Sequence, residues 1–284
     1  MRLATLRTDS GPRAFARLGD EYVDLHAADA QIPHLVREIL RGGLVSRARE
    51  AAERGTVRIP VRKAQFAPPI VDPPKILCIG LNYRDHAIEG GKAIPTEPVL
   101  FGKFSNALCA HGDLIRLPKV SKRVDYEAEL VVVIGRTGRD IAETDAMNYV
   151  GGYTIGQDVS ARDWQMRGEA KQWIIGKTFD TFAPIGPELV TADEVPDPHN
   201  LRIQLRLNGR TMQDSNTREF IFNVPQLIAY LSQVMTLEPG DLIFTGTPPG
   251  VGFARKPPVW LQSGDIVEIE IDGLGVLRNS VIQG

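Results

Sequence analysis

A β-rich mixed α+β fold with a small α+β domain in front of it follows from three features of the sequence. Short apolar runs of strand length recur between turn residues from Lys75 onward, few segments keep helical spacing, and four prolines fall within residues 68–74. Strands alternating with amphipathic helices would have meant a parallel βαβ sheet, and that alternation is missing.

Residues 1–30 alternate apolar and polar positions around the turn Asp9-Ser10-Gly11-Pro12, which predicts short antiparallel strands. From 33 to 54 the spacing turns helical. Leu35, Val36, Ile39, Leu40, Leu44 and Val45 share a face broken at Gly42-Gly43, and the arginines between them form the wet side. Glu38, Glu50 and Glu53 interleave with those arginines, which argues against a polyanion site. The segment Ala67-Pro68-Pro69-Ile70, followed by Asp72-Pro73-Pro74, is an extended connector, since each proline biases its predecessor away from helix. It divides a domain of residues 1–70 from one of 71–284. The larger domain reads as strands at 75–80, 98–104, 126–135, 149–157, 183–190, 201–208, 241–245 and 265–271. Helices are expected near 83–90, 140–147 and 224–235.

Composition narrows the classes of function. The chain is 43% hydrophobic and 24% charged with a net charge of -2, ordinary for a globular protein and unlike a nucleic-acid or membrane binder. No apolar run reaches ~18 residues and the first fifteen residues lack a continuous apolar core, so neither spanning nor secretion is indicated. The two cysteines, Cys78 and Cys109, suit reduced thiols and a cytoplasmic location.

The chemistry concentrates in a few stretches. In Asp125–Gly135, DYEAELVVVIG, strand alternation sets Glu127 and Glu129 on one face beside a β-branched run. Neighbouring carboxylates raise each other's pKa unless a cation compensates, and a hard divalent metal is the simplest one. The alternative is a solvated edge. Asp158, at the exit of the apolar stretch 149–157, offers a third oxygen; three carboxylates leave about three of six octahedral positions open, as Mg²⁺ sites do. Zinc is disfavoured, because the five histidines include no short-spaced pair.

In Gly80–Glu89, GLNYRDHAIE, Asn82 is a plausible helix N-cap, while His86 and Glu89 stand three apart on one helical face. A carboxylate there can orient an imidazole as a water-activating base, or the two can be a plain surface pair. Lys177 follows the apolar Trp173-Ile174-Ile175 and could face an oxyanion, or simply be solvated. Thr245–Gly252, TGTPPGVG, presents backbone N–H groups and Thr247 to a carboxylate, or is only a tight turn. It lacks the ending of a phosphate loop.

Taken together and in order, GLNYRDHAIE, DYEAELVVVIG, GQDVSARDWQ, GKTFDTFAPIGP and FTGTPPGVG strongly resemble the fumarylacetoacetate hydrolase superfamily over residues 75–284. Residues 1–70 look like the accessory domain of many bacterial members. The resemblance implies a β-roll or sandwich catalytic domain, a homodimer, and Mg²⁺ or Mn²⁺ held by Glu127, Glu129 and Asp158. It further implies a His86/Glu89 dyad on a lid that orders with substrate, Lys177 in catalysis, and Arg162, Thr247, Tyr83 and Gln165 at the substrate. The implied reaction is hydrolysis of a C–C bond in a small 2,4-dioxo acid through a metal-stabilised enolate. Oxaloacetate decarboxylation or oxo-enol isomerisation on the same site is the alternative. Two stretches depart from the family pattern, Arg167–Trp173 before the lysine motif and Cys109-Ala110-His111.

Overall fold

The computed structural model describes residues 1–89, 93–169 and 172–284, with the backbone alone at residues 86 and 87. The expected antiparallel start is present as β1 (Arg2–Thr8), β2 (Gly11–Leu18) and β3 (Glu21–Asp24). Thr8 pairs with Gly11 across the turn, where Gly11 has φ +97°, a value that favours a residue without a Cβ. After α1 (Leu25–Ala28), capped by the Asp24 carboxylate, come α2 (Val36–Arg41) and α3 (Val45–Arg54), split at Gly42-Gly43 as the spacing predicts. Their apolar stripe, Val36, Ile39, Leu40, Ala48, Ala51 and Ala52, is buried. Short strands β4 (Arg58–Pro60) and β5 (Phe66–Ala67) lead to the proline connector.

Beyond it lie β6 (Ile76–Gly80), α4 (Arg84–Glu89), β7 (Val99–Lys103), β8 (Leu108–Ala110), β9 (Leu114–Leu117) and β10 (Val124–Asp125). Next come β11 (Ala128–Ile134), β12 (Val150–Gln157), β13 (Ser160–Ala161), α5 (Arg162–Gln165), α6 (Ile174–Lys177) and β14 (Ala183–Thr191). The chain ends with β15 (Arg202–Leu207), β16 (Arg210–Asn216), α7 (Val224–Val234), β17 (Leu242–Phe244), β18 (Ile266–Ile271) and β19 (Gly275–Gln283). Each long strand expected from the apolar runs is there. The polar strand β16, RTMQDSN, was not legible as one, and the helix expected at 140–147 is a 3₁₀ segment at Glu143–Tyr149.

Among the described residues the strands form a twelve-stranded sheet, a five-stranded sheet and a two-stranded ribbon. The large sheet runs β4-β3-β2-β1-β14-β12-β11-β17-β6-β7, and the smaller one runs β16-β15-β18-β19-β9. β11 approaches β15, β12 approaches β18, and β14 approaches β19, which makes the part beyond residue 75 a sheet-on-sheet packing. Every residue of β11 is buried, because one of its faces meets the second sheet and the other is covered as well. β1 pairs with β14, Arg2 opposite Val190, so the first strands continue the same sheet. The division at residue 70 into two folding units is a proposal.

Candidate active site

The ladder between β11 and β12 brings the acids together. Glu129 lies opposite Gly156 and Ala128 opposite Gln157; one step further, the Asp158 N–H donates to the Glu127 carbonyl at 2.9 Å. A carboxylate oxygen from each of Glu127, Glu129 and Asp158 falls within 4.8 Å of the others. Their exposures of 6%, 2% and 0% rule out the solvated edge. The strand argument needs one correction. Glu127 lies in the two-residue break between β10 and β11, so the chain's turn, and not strand alternation, brings it beside Glu129.

Three cations are built around this cluster. Lys177, at the end of α6, places Nζ 2.8 Å from Glu127 Oε2 and 2.7 Å from Asp158 Oδ2. Burial alone would lower its pKa, but the two carboxylates outweigh that and raise it, so it stays an ammonium. Arg162, on α5, donates through Nε to Asp125 Oδ2 at 2.9 Å, through one terminal nitrogen to Glu127 Oε1 at 2.6 Å, and through the other to Gln165 at 2.9 Å. Lys103, at the end of β7, has Nζ 2.7 Å from Asp158 Oδ1. It also donates to the carbonyls of Val159, Lys177 and Phe182; burial lowers its pKa, against the opposing pull of Asp158.

Glu129 differs from its neighbours. Its Oε2 accepts the Gly246 N–H at 2.8 Å, and among the described residues no lysine or arginine forms an ion pair with it. Burial, then the charges of Asp158 and Glu127, push its pKa well up. Glu127 goes the other way: burial raises it, but Lys177 and Arg162 prevail and hold it below the usual carboxylate range. A buried carboxylate beside two others and without a cation of its own would be stabilised by a divalent ion, and an all-oxygen donor set suits Mg²⁺ or Mn²⁺. The triad fits such an ion.

The three acids lie in a cavity of about 450 Å³ together with Lys177, Arg162, Gln165 and Thr247. Phe101, Trp173 and Phe253 supply much of its apolar wall. Trp173 packs edge-on against Phe101 at 5.4 Å, the Lys177 ammonium lies 5.1 Å from the Phe101 ring, and the Arg162 guanidinium lies 4.6 Å from Phe253. Thr247 accepts from Gln213 Nε2 at 2.8 Å, and Gln213 Oε1 accepts the Ala128 N–H at 2.9 Å, tying the glycine and proline loop to the start of β11. The loop's N–H groups do meet carboxylates, but the protein's own: Glu129 at Gly246, Glu89 at Gly250 and Asp125 at Gly252. Gly246 has φ +102°, and a Cβ there would come within 2.8 Å of Asn82 Cβ.

The other expected site residues are distributed as follows. Glu89, at the end of α4, accepts the Gly250 N–H at 3.0 and 3.1 Å; the imidazole of His86 lies outside the described residues. Tyr83 stands apart from the cavity lining, fully buried edge-on against Phe220 at 4.9 Å. Asn82 is no N-cap. Its amide donates to the carbonyls of Phe222 and Thr245 and accepts the Phe222 N–H, so it is spent on joining three segments. The residues that sequence reasoning missed are Asp125, Lys103 and Gln213. Asp125 opens the acidic motif and could have been flagged there, whereas Lys103 and Gln213 carry no local signal.

Residues 75–282 match the family model described as fumarylacetoacetate (FAA) hydrolase C-terminal. The Xenopus laevis protein named oxaloacetate tautomerase fahd2, mitochondrial, is 46% identical over 288 residues, covering 99% of this chain and 90% of that one. Among solved structures, a putative HpcE protein from Mycobacterium smegmatis superposes with TM-score 0.90 at 39% identity, covering 100% of both chains. Maleylpyruvate hydrolase from Sphingobium sp. SYK-6 in complex with manganese(II) and pyruvate does so with TM-score 0.82 at 36% identity, again covering 100% of both. The likeness over nearly the whole chain thus extends to a eukaryotic protein as well as to bacterial ones, so the resemblance of residues 1–70 to bacterial members does not mark the chain as bacterial. The sheet-rich α+β fold expected from the sequence is the fold of these structures.

Proposed function

Since the chain belongs to the fumarylacetoacetate hydrolase family, we propose that it is a divalent-metal enzyme acting on small 2-oxo acids, with keto-enol interconversion of oxaloacetate as its reaction. The observation that carries this reading is the buried convergence of Glu127, Glu129 and Asp158 on one apolar-walled cavity with Lys177 against two of them. Choosing tautomerisation over hydrolysis, the leading expectation from sequence, rests on near full-length identity of 46% to a protein named oxaloacetate tautomerase.

Mg²⁺ or Mn²⁺, held by the three acids, would supply the charge that stabilises an enolate. The rest belongs to the chain. Tautomerisation moves one proton between a carbon and the neighbouring oxygen and consumes no water. Lys177, kept protonated by its two carboxylates, stands where negative charge develops on that oxygen. Arg162, fixed by Asp125 and Glu127, and Thr247, fixed by Gln213, are rigid polar anchors for a carboxylate. Phe101, Trp173 and Phe253 limit water at the reacting carbon. His86 is the base in this reading, with Glu89 as its partner on α4.

A second reading, C–C hydrolysis of a 2,4-dioxo acid, is supported by the 36% identity to a maleylpyruvate hydrolase. One experiment separates the two. Freshly dissolved enolic oxaloacetate and, in parallel, acetylpyruvate are incubated with protein and Mg²⁺ while enol absorbance and pyruvate are followed. Enol loss accelerated without pyruvate supports the tautomerase; pyruvate from acetylpyruvate without faster enol loss overturns it in favour of the hydrolase. Pyruvate from oxaloacetate marks the decarboxylase. The homodimer implied by the family belongs to the same proposal and is tested by sedimentation. So does the compartment: two free, buried thiols suit a reducing one, whether cytoplasmic or mitochondrial as in the relative's name. No helix among the described residues is long and apolar enough to cross a membrane.

A further inference from the structure

We infer that the chain carries a second ligand site, separate from the three acids, that takes a phosphate monoester on a flat organic ring, the chemistry of a nucleoside monophosphate. The inference stands apart from the oxo-acid reading, because its cavity shares no lining residue with the catalytic one.

The second cavity, of about 650 Å³, lies where the first strands meet the rest of the chain. Arg2, Arg7, Arg17 and Arg62 line it, opposed by two acids, Asp113 and Glu188. On a chain whose net charge is -2, that is a local excess of two positive charges. Burial would raise the Asp113 pKa, but the Arg7 hydrogen bonds prevail and lower it, so this pair is ionised. His111, also in the lining, adds no charge, since burial and Arg278 lower its pKa.

Pairing does not exhaust the donors. Arg7 gives its two terminal nitrogens to Asp113 at 2.8 and 2.7 Å, and Arg2 gives its own to Glu188 and to the carbonyls of Gly273 and Leu274. Arg17 spends Nε on the Gly19 carbonyl and one terminal nitrogen on Glu188 at 3.5 Å, while the Tyr22 hydroxyl also donates to Glu188. Arg62 is exposed and has no hydrogen bond or ion pair with a described residue. Among the described residues, then, the Arg62 fork, Arg7 Nε and the second terminal nitrogen of Arg17 stay open to an anion. Guanidinium forks suit phosphate oxygens, and a phosphate monoester near neutral pH carries close to the two negative charges the cavity lacks.

Size and wall decide what bears the phosphate. The volume falls within the range of about 300–1,000 Å³ typical of sites for whole organic ligands, so inorganic phosphate alone would leave most of it to water. Phe66 borders the cavity with its ring centroid 5.8 Å from that of Tyr22 and 5.1 Å from that of His111. Aromatic rings beside guanidinium planes are a surface on which a flat ring stacks. His111 closes the stretch Cys109-Ala110-His111, which departs from the family pattern and which the oxo-acid chemistry does not use.

The test is calorimetry on the full, metal-free chain with adenosine monophosphate, inorganic phosphate and adenosine as probes, repeated on Arg62→Glu. Wild type should bind the monophosphate at least roughly 10-fold more tightly than either fragment, and the variant should lose roughly 10-fold in that affinity. The variant's own melting temperature should match wild type, because Arg62 touches no partner whose loss would unfold it. A monophosphate affinity unchanged in the variant, or none in wild type, overturns the site. Displacement by oxaloacetate overturns it too, since the probe then occupies the catalytic cavity, and phosphate binding as tightly as the monophosphate overturns the ring. A chain inactive toward oxaloacetate that still binds the monophosphate through Arg62 would sink the oxo-acid reading and leave this one standing.

Discussion

The backbone N–H of Asp158 donates to the carbonyl of Glu127 across 2.9 Å, one rung beyond the last residue pair of the β11–β12 ladder. This bond sets the two acids side by side before their side chains are considered, and Lys177 then bridges them. The bridging ammonium sits between two of the three carboxylates that a metal would use, which leads to the first prediction.

Lys177→Met should leave Glu127 and Asp158 buried against each other with less compensation, costing about 3–5 kcal/mol of metal-free stability. Saturating Mg²⁺ should restore more of the melting temperature in the variant than it adds to wild type, since the ion takes over the missing charge. Turnover should fall by about 10²-fold or more even when metal is bound. Thermal melts with and without Mg²⁺ check this; an unchanged metal-free melting temperature would count against the bridge.

Glu129→Gln replaces the acid without a cationic partner by a neutral isostere that can still accept the Gly246 N–H. Mg²⁺ affinity by calorimetry should drop below detection. The metal-free variant should melt no lower than wild type, because the buried charge it removes is unfavourable there. Undiminished Mg²⁺ binding would remove Glu129 from the ligand set.

His111 gives a pH dependence. Burial, then the Arg278 charge, lower its pKa, and Nδ1 accepts the Arg278 N–H at 3.2 Å, which requires that nitrogen to be unprotonated. The folded state thus binds fewer protons here than the unfolded chain. Its contribution is complete above the unfolded value of about 6.5 and is lost as pH falls through the lower folded value. His111→Gln should flatten the decline in stability below pH ~6.5, read from urea melts at several pH values. A decline as steep as that of wild type would show that other groups set it.

Gly80→Ala tests the apolar wall. A Cβ there would lie 2.5 Å from Trp173 Cζ3, so the indole must move. The cost should be about 1–3 kcal/mol, with a several-fold rise in KM and a change in Trp173 emission. A KM that stays put while the emission shifts would mean that Trp173 does not shape the substrate space.

Legibility in the sequence followed the range of the interaction. Strand-length apolar runs and the Gly42-Gly43 break are local signals, and the elements they predict formed where expected. Glu127, Glu129 and Asp158 were legible because they stand in or beside apolar strands, where a charge is conspicuous. Lys103, Gln213 and the anchoring role of Asp125 were not, because their partners lie far away in the chain: Lys103 meets Asp158, and Gln213 meets Ala128 and Thr247. Asn82 reads as an N-cap and Tyr83 as a residue at the substrate, yet tertiary packing uses the first as a joint and buries the second. By itself, then, the sequence determined which segments become strands and which acids must find a cation, since periodicity and burial cost act residue by residue. Only the tertiary structure decided which cations those are, and where charge is left over, because cross-strand register and loop anchoring bring together groups that no local pattern relates.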